Sequence, residues 1–128
     1  MIAVTLVLAG LASLVHVYIF WLESVAWMRP ATRRVFGIAS EEEARTTRAL
    51  AFNQGFYNLF LATVTGVGIV LLLAGEDAPG AALIYAGCGS MALAALVLVA
   101  GSRAYASAAA KQGLAPLLAV LALTVAIV

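Results

Sequence analysis

Residues 53–73 read NQGFYNLFLATVTGVGIVLLL. No Asp, Glu, Lys or Arg interrupts the run. About 20 predominantly apolar residues in a helix cross the hydrocarbon of a bilayer, so this stretch predicts a transmembrane span. Its opening, Asn53-Gln54-Gly55-Phe56-Tyr57-Asn58, puts three side-chain amides and a phenol into that setting. Amides in hydrocarbon cost free energy unless they find partners. A polar cluster there is therefore a candidate functional site.

The totals agree with a membrane setting. The chain has 128 residues, 65% of them apolar and 10% charged, and its mean hydropathy is +1.09. Soluble domains are nearer 45–50% apolar and about 25% charged. So little charge leaves most of the surface to lipid, and the bilayer is the first expected partner. A net charge of +1 gives no reason to expect nucleic acid or a polybasic lipid-binding surface. The single Cys88 forbids an internal disulfide. No Lys or Arg precedes Arg29, so the basic start of a signal peptide is missing and the first apolar run reads as a retained span.

Working outward gives four spans, at about 2–28, 46–74, 81–102 and 114–128. The expected fold is all-α, an integral membrane antiparallel four-helix bundle in one domain over 1–128. Tyr18, Trp21 and Trp27 suit an aromatic belt at the end of span one, and Arg29-Pro30 closes it. Ser40 and Glu43 fit a capping box, and Glu41, Glu42 and Glu43 suit a helix N-terminus. Span two then starts as a polar turn near Glu41 and reaches the membrane near Ala49. Gly66 and Gly68 are expected where helices approach closely. The residues from Gly75 to Gly80 read as a tight turn. The last span is short, with Pro116 in its first turn. Ala82, Ala86, Ser90 and Ala94 form a small-residue ridge for packing, which general alanine richness explains equally well. Surface of this kind leaves room for a homo-oligomer.

Arg29, Arg33, Arg34, Arg45 and Arg48 fall in the first connection, Arg103 and Lys111 in the third. The second connection and both ends carry no Lys or Arg. Cytoplasmic loops attract basic residues, so both termini are expected outside a multi-pass protein of the cell membrane.

His16 and Glu23 break the apolar pattern of span one. Two turns apart, they share a face but stand about 10 Å apart along the axis. That separation is too long for one metal ion, and neither a metal nor a cofactor is expected. An antiparallel span two brings Asn53, Gln54, Tyr57 and Asn58 to their level, and Arg103 comes within reach of Glu23. The expected binding set is His16, Glu23, Asn53, Gln54, Tyr57, Asn58 and Arg103, for a small molecule or lipid, in a transporter-like or enzyme-like site. An imidazole and a carboxyl suit proton transfer. No Ser-His-Asp order, Walker loop, dinucleotide glycine pattern or CxxC appears, so no catalytic residue is assigned and enzymatic activity stays open. The alternative is a structural or interaction protein whose polar groups only hold helices together.

Two strings carry a family resemblance: HVYIFWLESVAW at 16–27 and NQGFYNLFLA at 53–62, with a weaker echo in Lys111-Gln112-Gly113. Through HxxxxxxExxxW and NQGxYN the chain resembles a family of small bacterial integral membrane proteins of unknown function. The resemblance covers essentially the whole chain and implies four spans and no established activity.

Overall fold

A computed structural model describes residues 1–128. Helix α1 covers Ile2–Phe20 and runs into a π-helical turn, Trp21–Val25. Helix α2 is Pro30–Phe36, α3 is Glu41–Leu73, α4 is Asp77–Gly101 and α5 is Ala106–Ile127, with a 3₁₀ turn at Arg103–Tyr105. There is no strand. Four segments are long and apolar enough to cross a membrane: Ile2–Val25, Glu41–Leu73, Asp77–Gly101 and Arg103–Ile127. Only 17 to 28% of their apolar windows lies buried in the chain. The remainder, including Val7, Leu14, Val70, Leu96 and Val125, faces outward. In water such a surface would aggregate; in a bilayer it needs no cover. The protein is an all-α, multi-pass membrane protein.

The chain divides into two compact units. The first comprises Met1–Val15 and Leu61–Val128. Ala9, Ala12, Ile84, Cys88, Met91, Ala119 and Leu123 form its core, so segments of α1, α4 and α5 meet there, with Leu61, Ile69 and Leu72 of α3 packed against them. Lipid tails are as apolar as Leu, so packing of small residues holds membrane helices together. Glycines serve that purpose, among them Gly80, where a Cβ would lie 2.8 Å from the Leu72 nitrogen. A Cβ on Gly68 would lie 2.9 Å from the Ile84 nitrogen. One on Gly87 would overlap Thr65 Oγ1, and one on Gly113 would overlap the Ala95 Cβ. Gly66 has nothing within 4 Å, so of the pair expected at a close approach only Gly68 is there. Tyr85 Oη and Thr124 Oγ1 share a hydrogen bond of 2.9 Å between α4 and α5.

The packed face of α4 is not the expected one. Gly80, Ile84, Gly87, Cys88, Met91 and Ala95 are buried, whereas Ala82, Ala86, Ser90 and Ala94 are exposed. Two glycines and the large Ile84 and Met91 side chains make the better contact face, and they lie around the helix from the alanine ridge. Helix α4 also starts earlier than expected, at Asp77, because Pro79 in a first turn costs no hydrogen bond. The preceding turn rests on Gly75, at φ 84°. Helix α5 likewise starts at Ala106 rather than near 114, so the last span is not short. The alanines at 106 and 108–110 are strong helix formers, and Lys111 and Gln112 do not break a helix. Pro116 consequently sits inside the helix, fully buried.

The second unit is His16–Phe60. The π-turn closes with Ala26 N–H donating to the Trp21 carbonyl at 2.9 Å. Pro30 opens α2, a helix the sequence reading did not foresee, and Gly37 ends it in the left-handed region at φ 68°. Ser40 Oγ accepts from Glu43 N–H at 3.1 Å. The Glu43 carboxylate accepts from Ala39 N–H at 3.1 Å, one residue before the usual capping-box partner. Trp27 is no interfacial belt residue. It is buried with Ala44 and Ala51, flanked by Met28, Phe36 and Ile38, and its Nε1 donates to the Ala44 carbonyl at 3.0 Å. Of the three aromatics expected in the belt, Tyr18 and Trp21 are exposed, with the Arg29 guanidinium 5.2 Å from the centre of a Trp21 ring.

Candidate functional site

Within the second unit, α3 turns a small-residue face toward the π-turn. Ala44, Ala51 and Gly55 are buried on it. A Cβ on Gly55 would overlap Ser24 Oγ and would stand 3.0 Å from the Ser24 nitrogen and 3.1 Å from the Glu23 Cβ. Only glycine admits that approach. With the backbones this close, Ser24 Oγ donates to the Phe52 carbonyl at 2.8 Å. One turn further along α3, Asn58 Nδ2 donates to Glu23 Oε2 at 2.9 Å. The same amide nitrogen donates to the Gln54 carbonyl at 3.2 Å. Both amide hydrogens of Asn58 are therefore engaged. Its carbonyl oxygen and Glu23 Oε1 accept no hydrogen bond from the chain. The pair is partly exposed, so it offers outward two acceptors and one carboxyl charge site.

Extra-residue turns of this kind recur at functional sites because they re-aim side chains. This one places Glu23 and Ser24 side by side against α3. Composition gave no sign of it: Trp-Leu-Glu-Ser-Val has no feature that marks a π-turn. The signal that was present is Gly55, whose missing side chain leaves space for a small hydroxyl opposite.

Of the expected set, Glu23 and Asn58 are brought together. His16 is buried and engaged within the chain. Asn53, Gln54 and Tyr57 are exposed on α3, and neither the Asn53 nor the Gln54 side chain makes a hydrogen bond within the chain. The helical period explains this. With Ala51 and Gly55 taking the packed face, positions 53, 54 and 57 turn away from it. Arg103 belongs to the first unit, exposed on the turn after α4. No group of three or more His, Cys, Asp or Glu side chains is placed to hold a metal ion.

Depth along α3 is counted from Leu73, the last helical residue before the Gly75 turn, taken as the far edge of the hydrocarbon. Counting about 20 residues of hydrocarbon back from Leu73 reaches Gln54. Asn53 and Gln54 then lie at the headgroup boundary, with Asn58 about 6 Å below it.

These features define a small four-span helical membrane protein with a polar pair where its second spanning helix leaves the hydrocarbon. The chain belongs to the family described as Protein of unknown function (DUF1304), which it matches over residues 10–124. Both halves of the Glu23–Asn58 pair fall inside that range. No curated protein and no solved structure matches the chain.

Proposed function

We propose that the protein binds a small molecule or lipid at Glu23 and Asn58, near the cytoplasmic face of the cell membrane. The observation that carries this reading is the hydrogen-bonded pair with its unused acceptors. Acceptors at the edge of hydrocarbon call for an outside donor, so the ligand presents an ammonium, hydroxyl or amide N–H. Asn53, Gln54 and Tyr57 supply further polar contact on the outer face of α3. The two sequence strings that hold the pair are then the shared signature of this family of bacterial proteins. The basic residues of the first and third connections favour both termini outside. A C-terminal reporter active only in the cytoplasm contradicts that orientation. The exposed Ala82, Ala86, Ser90 and Ala94 ridge is available to a second copy, and a mass measurement finding only monomer removes that idea.

The contact of Ser24 with the Phe52 carbonyl favours a second reading, in which the polar groups only fasten the hairpin. Asn58→Leu and Asn53→Leu separate the two. A binding site predicts that Asn53→Leu leaves the thermal midpoint in detergent unchanged and weakens ligand retention. Pure fastening predicts that Asn58→Leu lowers the midpoint and that neither change alters any bound molecule. Interhelical polar contacts in membranes average only about 0.6 kcal/mol, so the stability change for Asn58→Leu is expected to be small.

A further inference from the structure

Phe52, Phe56 and Phe60 follow one another every fourth residue of α3. Their ring centroids are 5.1 and 6.2 Å apart. Residues at that spacing share a helix face, and Phe52 and Phe60 are exposed on it. The turns toward the N-terminus continue that face with Arg45, Arg48 and Ala49. These three and Phe52 line an open depression of about 520 Å³. Arg45 is held by Glu41, with Nε at 3.2 Å and a terminal nitrogen at 2.5 Å from one carboxylate oxygen. Arg48 is exposed and makes neither hydrogen bond nor ion pair within the chain. With the hydrocarbon boundary at Gln54, the Arg48 backbone stands about 9 Å further out along the axis, just beyond a headgroup layer of about 5–8 Å, and its long side chain reaches back to the phosphates. The aromatic ladder starts at that boundary and descends into the acyl region.

We infer that this face of α3 binds an anionic phospholipid, with its phosphate on Arg48 and the open side of Arg45 and an acyl chain along Phe52, Phe56 and Phe60. An uncompensated guanidinium calls for an anion, and its planar fork fits phosphate oxygens. The apolar ladder beneath calls for a chain, which neither inorganic phosphate nor an acidic peptide supplies. The face stands about 150° around α3 from Asn58 at 100° per residue, so the site does not depend on the Glu23–Asn58 reading. The low net charge of the whole chain argued against a lipid-binding basic surface. It did so because the glutamates of the same connection cancel the sum without neutralising Arg48.

The test uses the full chain in a neutral detergent, titrated with dioleoyl phosphatidylglycerol or dioleoyl phosphatidylcholine, with bound lipid counted by native mass spectrometry. Phosphatidylglycerol is expected to be retained in preference to phosphatidylcholine. Each basic residue near an anionic surface contributes about a fivefold gain in binding. Arg48→Gln should therefore weaken phosphatidylglycerol binding about fivefold, and Arg45→Gln with Arg48→Gln about twentyfold. Lys111→Gln should leave it unchanged. The thermal midpoint without lipid checks that each variant is folded; Arg48 is exposed and unpaired, so its replacement should not move that midpoint. Equal retention of the two lipids, an equal loss in Lys111→Gln, or displacement of the lipid by millimolar inorganic phosphate overturns the proposal.

Discussion

Trp27→Ala is expected to destabilise the second unit by about 3–5 kcal/mol, the usual cost of removing a buried tryptophan. The ring is 9% exposed, lies 5.1 Å from the Phe36 ring centre and packs with Ala44 and Ala51. On the α3 side only the two alanines face it, so the space left there is not refilled without movement of Phe36, Met28 or Ile38. The indole N–H is also bound to the Ala44 carbonyl, across 17 residues of sequence. Trp27→Phe keeps most of the ring and loses only that donor. It should cost about 1 kcal/mol, the net worth of one hydrogen bond. Thermal unfolding in detergent reads both. A midpoint for Trp27→Ala equal to that of the unaltered protein would mean that this unit is not held by its tryptophan.

Gly68→Ala and Gly66→Ala are expected to act in opposite directions, although they are one added methyl each, two residues apart on α3. A Cβ at position 68 would stand 2.9 Å from both the nitrogen and Cγ1 of Ile84 and 3.0 Å from the Gly80 carbonyl oxygen. Two of those three atoms are backbone, which cannot rotate aside, so α3 and α4 must separate. Overpacking of that sort costs about 1–3 kcal/mol. At position 66 a Cβ would meet nothing within 4 Å. There the methyl only removes the helix penalty of glycine, a gain of up to about 1 kcal/mol. The propensity gain is common to both substitutions, so measured denaturation of the two variants should differ by the overpacking cost, about 1–3 kcal/mol. Equal effects would mean that α3 and α4 do not cross at Gly68.

The spanning helices were legible because lipid imposes a simple rule: about 20 apolar residues, with charges confined to the ends. Glycine and alanine positions were legible as packing surface in kind but not in place. Gly66 and Gly68 read alike in sequence, and only the partner helix distinguishes them. The Ala82 to Ala94 ridge stays outside the chain's own packing for the same reason, since a competing face with Gly80 and Gly87 is equally small. The connection after Arg103 is shorter than its polarity suggests, because Lys111 and Gln112 are polar like a loop yet are good helix formers and lie inside α5. At the candidate site the expectation that amides and acid share one depth rested on rise per residue. Which of the amides faces the acid depends on rotation about the helix. That rotation is set by Ala44, Ala51 and Gly55, residues with no chemistry of their own.

The most direct test of the binding site is an experimental structure of the protein in a lipid nanodisc, inspected around Glu23 and Asn58. The account predicts non-protein density within hydrogen-bond distance of Glu23 Oε1 or the Asn58 side-chain carbonyl. It also predicts headgroups or water, rather than acyl chains, against Asn53 and Gln54. Acyl density covering those two side chains, with nothing polar beside the Glu23–Asn58 pair, would contradict it.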